Sequence, residues 1–457
     1  MVATHPIAHW NPEDPAFWTR SGQRIATRNL WLSIPALMLA FAVWMVWSVV
    51  VVNLPRVGFH YTTNQLFWLA ALPALCGATL RVFYAFAVPV FGGRRWTALA
   101  TVSLLLPALG IGMAVRNPDT PYETMVLLAL LCGLGGGNFA SSMAHISFFY
   151  PERRKGYALG MNAGLGNLGV SLAQLVVPLV VGVGCFGALG GAPQRTPEGE
   201  LWLQNAGFVW VPLIAACALA AWFGMDDLAE AKAGFAEQAV IFRRKHNWLM
   251  CWLYIGTFGS FIGHAAGAPL LLHSQFPRVD LLQVAWLGPL LGALARPLGG
   301  WLADRLGGAR VTLWSFVAMA AAVATMLYGL PRDGRPGQLD SLLAATAALF
   351  VAAGLGNGSL FRMIPIVFLT ERRRAAGLAD AAQEEATREG NLEAAAVLGF
   401  ASAIGAYGGF FIPKSYGTSI ALTGGPEAAL VVFLVFYLSC IAITWWHYAR
   451  RFAPMPC

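Results

Sequence analysis

The sequence predicts an all-α membrane protein of 12 transmembrane helices in two pseudo-symmetric six-helix bundles, with the N- and C-termini cytoplasmic. Three observations carry that prediction. The residues are 57% hydrophobic and only 11% charged, whereas water-soluble domains carry about a quarter charged residues. The apolar residues gather into stretches of about 20 or more, the length a helix needs to cross a ~30 Å hydrocarbon core. The two halves of the chain also repeat one another, as the loops and glycine patterns below show.

Residues 1–29 form a polar cytoplasmic tail holding Arg20, Arg24 and Arg28. It lacks a short apolar core followed by a small-residue cleavage site, so no cleaved signal peptide is expected and the first apolar segment is a retained span. The N-terminal bundle, 30–224, divides into spans near 30–52, 64–91, 96–115, 122–149, 156–184 and 202–224. A charged cytoplasmic loop, 225–247, leads to the C-terminal bundle, 248–449. Its spans lie near 248–272, 281–303, 311–330, 340–369, 393–421 and 426–449, and a cytoplasmic tail, 450–457, follows. Two bundles joined by a charged loop is the plan of a secondary transporter built from repeats. Lys and Arg collect in short cytoplasmic loops. One side of this arrangement carries 20 of them, against 7 on the other: Arg56, Arg116, Arg195, Arg278, Arg332, Arg335 and Lys414. This places both termini in the cytoplasm.

Several function classes fall away. Basic residues exceed acidic ones, 30 to 22, but lie in twos and threes between apolar stretches. That is membrane topology rather than a nucleic-acid surface. Seven cysteines without a CxxC pair indicate neither a disulfide framework nor a zinc site. Gly164, Gly166 and Gly169 spell GxGxxG, but inside an apolar span rather than after a strand. With no Walker motif, HExxH or nucleophile elbow, the chain reads as neither enzyme nor primary pump, and no cofactor or metal is expected.

The repeat is legible in the loops. "FGGRRW" and "GGWLADRLGGAR" each follow an arginine by the same interval, 81 to 92 and 296 to 307, so Arg81 and Arg296 are repeat-equivalent. "GLGGGNFASSM" (133–143) matches "GLGNGSLFRMI" (354–364), and "GMNAGLGNLG" (160–169) matches "GFASAIGAYG" (399–408). In the last pair Gly160, Gly166 and Gly169 fall on Gly399, Gly405 and Gly408.

Arg81, Arg296 and Arg362 fall within spans. At 1.5 Å per residue, Arg81 and Arg296 lie roughly 16 Å deep, near the midplane. A charge there costs between about 3 and 17 kcal/mol and points to a functional site with a partner. All 22 Asp and Glu residues fall in tails, loops or a terminal turn of a span. Buried arginines without carboxylates imply an anion from outside the protein; snorkelling or bonding to backbone carbonyls is the alternative. Asn162 and Asn167 are polar groups at depth that could donate to an anion or bond between helices. His145 and His264 are the titratable candidates within spans, for packing or for proton relay.

The paired loops resemble the major facilitator superfamily. More narrowly, "GGGNFASSM", "FFYPERRKGYALGMNAGLGNLGV" and "GFASAIGAYGGFFIP" resemble the NarK-type nitrate/nitrite porters over nearly the whole chain. The resemblance implies that Arg81 and Arg296 bind substrate and that Phe139 and Phe258 flank the planar anion. It further implies hydrogen bonds from Tyr254 and Asn167, with Gly164, Ser402 and Gly405 close to the ion on the signature helices. Nitrate and nitrite are then the small-molecule substrates and the bilayer the only other partner, with no nucleic acid and no obligatory protein partner. The expected activity is nitrate/nitrite antiport by alternating access, importing nitrate and exporting nitrite. Nitrate/proton symport and a non-transporting anion sensor are the alternatives.

Overall fold

A segment in lipid must close its backbone hydrogen bonds internally, and helices do this over the full length of each apolar stretch. The computed structural model describes residues 7–197, 199–229, 239–331, 336–376, 380–455 and 457. Among them run α1 (Pro15–Asn53), α2 (Thr63–Tyr84), α3 (Gly93–Ala114), α4 (Tyr122–Phe149), α5 (Glu152–Val181), α6 (Asn205–Gly224) and α7 (Lys245–Gln275). There follow α8 (Leu287–Leu306), α9 (Gly308–Gly329), α10 (Leu339–Ala375), α11 (Ala382–Thr423) and α12 (Glu427–Ala449). Eleven of these are long and apolar enough to cross a membrane; α8 carries Arg296, Asp304 and Arg305, which lower its hydropathy. The one sheet among the described residues is a hairpin of β1 (Gln194–Thr196) and β2 (Gly199–Leu201), which apolar patterning does not predict.

Several placements differ from expectation. The polar stretch after α10 was expected as a loop, yet α10 runs on to Ala375 and α11 is already formed at Ala382. Ala, Glu and Arg are strong helix formers, and Arg388 pairs with Glu385 one turn away. Glu393, expected at a span edge, is consequently buried inside α11 between Arg244 and Arg372. Lys414, counted among loop residues, lies within α11, where its Nζ donates to Thr418 Oγ1 at 2.6 Å. The N-terminal tail is folded from Ile7 onward: Trp10 and Trp18 pack against Phe149 and Tyr150, and α1 begins at Pro15 behind an Asp14 cap.

Internal contacts group the chain into two units, Met1–Ala233 with Ala265–Trp286, and Gly234–His264 with Leu287–Cys457. Each unit solves one local problem in the same way. The connection into its third helix turns on a glycine with positive φ, Gly92 at 85° and Gly307 at 90°, a conformation glycine adopts without steric penalty. The exposed amides at the start of that helix are then capped by chain that follows the unit's sixth helix. In the first unit Arg94 N–H donates to Asp227 Oδ1 at 2.8 Å, and in the second Ala309 N–H donates to the Cys457 carbonyl at 3.0 Å.

Asp227 has a further role, because its buried carboxylate also faces the Arg94 guanidinium at 3.4 Å. Breaking a buried pair by removing one partner costs about 3 kcal/mol or more. Asp227→Ala is therefore expected to lower the thermal unfolding temperature of the detergent-solubilised protein clearly, while Asp280→Ala, at a solvent-facing helix start, leaves it near wild type. Equal melting for Asp227→Ala and wild type would show that this cap does not hold the unit together.

Candidate functional site

In the first unit Arg81 lies in the last turn of α2. The span was expected to continue to 91, but the helix ends at Tyr84 and resumes as a short helix, Ala87–Phe91. Arg81 is 1% exposed. Its Nε donates to the Gly136 carbonyl of α4 at 2.8 Å, and its Cζ lies 4.8 Å from the ring centre of Phe139, 5.3 Å from Trp44 and 6.0 Å from Phe41. Phe139, expected beside the anion, thus stacks on the arginine. Trp44 and Phe41 were not anticipated. Their signal was available as aromatics at i, i+3 in a span that also holds Trp31 and Trp47; helical geometry puts residues three apart on one face.

On α5, the positions 156, 160, 164, 167, 171 and 174 fall on one face at helical spacing. A Cβ added at Gly156, Gly160 or Gly164 would meet nothing within 4 Å. Asn167, one turn on, is 1% exposed and its Oδ1 has no hydrogen-bond partner among the described residues. Further along, the same face is closed by hydrogen bonds. Ser171 Oγ donates to the Trp286 carbonyl at 2.9 Å, and Gln174 Nε2 donates to the Ala265 carbonyl at 2.6 Å. Pro269 lacks the N–H that would satisfy Ala265 within α7, so Gln174 supplies the missing donor. Asn162 points elsewhere. Its Nδ2 donates to Ser142 Oγ at 2.8 Å, which in turn bonds Ser33 Oγ, so its donors serve an inter-helix chain rather than an open face.

In the second unit Arg296 is 7% exposed, and its Cζ lies 5.3 Å from the Phe361 ring centre. Among the described residues no hydrogen bond or ion pair reaches its guanidinium, and Nη1 is buried without a partner. Tyr254 precedes and Phe258 lies within a π-helical turn of α7, Ile255–Gly259; both are buried, with ring centres 5.6 Å apart, and such turns are frequent at functional sites. Gly405 makes room for Tyr254, since a Cβ there would lie 2.5 Å from Tyr254 Cδ1. Ser402 Oγ donates to the Gly399 carbonyl at 2.7 Å. Gly399 itself faces open space, as its repeat partner Gly160 does.

Of the remaining charged and titratable candidates, Arg362 and His264 are held by protein contacts, while His145 keeps Nε2 buried without a hydrogen-bond partner among the described residues. Arg362 is exposed and pairs with Asp304 at the end of α8. His264 bonds through both ring nitrogens, Nδ1 to Tyr416 Oη at 3.1 Å and Nε2 to Tyr437 Oη at 3.4 Å. His145 packs edge-on to Phe149 and fills the space beside Gly93.

The Major Facilitator Superfamily profile matches residues 36–383. The chain is 52% identical over 448 residues to the nitrate/nitrite transporter NarU of Salmonella typhimurium, spanning 97% of this chain and 96% of that one. It is 41% identical over 461 residues to the "Probable nitrate/nitrite antiporter NarK2" of Thermus thermophilus, spanning 99% and 98%. Among solved structures, the xylose transporter XylE from E. coli superposes with a TM-score of 0.64 at 13% identity, covering 91% of this chain and 95% of that one. That likeness is one of fold.

The signature glycines divide by environment. At Gly169 a Cβ would collide with the Met38 backbone, and at Gly408 with that of Gly259, where side-chain rotation cannot make room. Overpacking of this kind costs roughly 1–3 kcal/mol or more. Gly169→Ala and Gly408→Ala should lower yield and melting temperature, whereas Gly164→Ala and Gly399→Ala should melt like wild type. Fluorescence-detected gel filtration after heating measures all four, and a stability loss at Gly164 equal to that at Gly169 would erase the distinction.

Proposed function

The chain belongs to the major facilitator superfamily and to its nitrate/nitrite transporter family, is a multi-pass membrane transporter rather than an enzyme, and from that premise we propose that it exchanges nitrate for nitrite across a bacterial inner membrane by alternating access. The observation that carries this reading is Arg296, a buried guanidinium that no carboxylate and no hydrogen-bond acceptor among the described residues reaches. A cation held that way is stabilised by an anion arriving from outside. The guanidinium is planar, weakly hydrated and forked, and it matches a planar, weakly hydrated oxyanion better than an ammonium does. Arg81, its repeat equivalent, is the second ligand in this reading, with Tyr254, Asn167 and the open face at Gly164 lining the approach of the ion and Phe139 and Phe258 supplying flat apolar walls.

Exchange suits the energetics. Importing a monovalent anion against an inside-negative potential costs about 2.3 kcal/mol per 100 mV, and an outgoing anion cancels that cost. The relatives' names, one a transporter and one an antiporter, support the same substrates. Proton symport needs a titratable group on the path, and His264 is already bonded to two tyrosines.

Arg81→Lys and Arg296→Lys keep the charge and lose the planar fork, so each is expected to cut nitrate uptake at least tenfold in protein that still folds. Near-normal uptake by a well-expressed lysine variant would remove that arginine from the site. Counterflow in liposomes separates the coupling modes. Internal nitrite should accelerate nitrate entry, and His264→Phe should keep that acceleration at reduced stability. Nitrate entry into nitrite-free liposomes driven by an inward proton gradient would instead establish symport.

A further inference from the structure

We infer that Trp44 is a positioning residue for substrate binding, orienting the Arg81 guanidinium so that its forked edge faces the anion. The inference rests on the reading of Arg81 as an anion ligand. Trp44 is 1% exposed on α1, and its ring centre lies 5.3 Å from Arg81 Cζ. Its ring cannot swing, because Nε1–H donates to the Pro73 carbonyl of α2 at 2.8 Å. The slot that receives it is built from two glycines on two helices. A Cβ at Gly77 would lie 2.8 Å from Trp44 Nε1, and one at Gly136 would lie 2.6 Å from Trp44 Cε2. Gly136 also lends its carbonyl to Arg81 Nε. One α4 residue thus seats the indole and fixes one edge of the guanidinium, and the indole faces the guanidinium from α1.

The chemistry explains what an indole supplies here. A carboxylate would stabilise the buried cation but would occupy the same in-plane N–H donors as the oxyanion and compete with it. An aromatic face stabilises the cation from above the plane and leaves the donors at its edge. Indole is the strongest such face among the side chains. Phe139 and Phe41 add weaker faces, and only Trp44 is locked in orientation by a hydrogen bond of its own ring.

The experiment measures nitrate Kd and thermal unfolding for the full-length detergent-solubilised protein, and nitrate exchange for the same samples in liposomes. The proteins are wild type, Arg81→Lys, Trp44→Phe, and a series carrying one to four ring fluorines on tryptophan introduced only at position 44. Fluorination drains the face of the ring without changing its shape. Log Kd should rise stepwise with fluorine count at constant melting temperature, reaching about threefold to tenfold at the end of the series, and Trp44→Phe should fall within that range. The exchange rate at saturating nitrate should change less than the half-saturating concentration. Flat nitrate affinity across the fluorinated series, with Arg81→Lys defective, would overturn the role of Trp44 and leave Arg81 in place. Wild-type affinity in Arg81→Lys would overturn the ligand reading and this inference together.

Discussion

A guanidinium away from water must be compensated, and most of what is particular to this protein follows from how it compensates two of them. The ordinary partner for an arginine is a carboxylate, and the protein uses it freely elsewhere: Arg28 with Asp226, Arg94 with Asp227, Arg244 and Arg372 with Glu393, Arg362 with Asp304. It withholds that partner from Arg296, and around Arg81 it assembles three aromatic rings and a backbone carbonyl. An aromatic face stabilises the cation from above its plane, and in the proposed function the anion meets the guanidinium at its edge.

The glycine content answers to the same constraint. Presenting a backbone carbonyl to Arg81 and seating Trp44 beside it require α2 and α4 to approach closely, and Gly77 and Gly136 permit that approach. In the second unit Gly358 of α10 lies against the backbone at Arg296 in α8. Elsewhere the glycines have a different purpose. On α5 they leave one face bare, and where that face ceases to be glycine it becomes Asn167, then Ser171 and Gln174 with hydrogen bonds made. A single helix face therefore passes from open to polar to closed, and the closing bond depends on a carbonyl that Pro269 leaves without its helical donor. Proline in α7 thus creates an acceptor that a side chain on α5 takes.

Duplication shapes the rest. Gly92 and Gly307 share a positive φ, Gly160 and Gly399 share open surroundings, and Gly169 and Gly408 share backbone contacts. The two halves diverge where chemistry is added: a carboxylate caps α3 while a main-chain carbonyl caps α9, and Arg81 gains an indole where Arg296 has Phe361. The backbone repeats because packing geometry is reused, and the side chains are free to differ where that geometry does not constrain them.

What the sequence determined alone is whatever depends on local chemistry and on periodicity. Length and apolarity set the helices, since lipid offers backbone groups no other partner. Equal intervals to the loop glycines made Arg81 and Arg296 equivalents, and the scarcity of acidic residues in the spans marked them as candidate anion ligands. Tertiary structure decided what depends on which residues meet. It bonded Asn162 Nδ2 to Ser142 and left Oδ1 of both Asn162 and Asn167 without a partner among the described residues. It paired Arg362 with Asp304, moved Lys414 into a helix and buried Glu393. It also brought Trp44 and Phe41 to Arg81 from a helix that sequence reading treated as plain apolar span. The physical reason is that periodicity reports which face of a helix is apolar, whereas compensation of a charge depends on atoms contributed by other helices, and no interval along one chain segment encodes them.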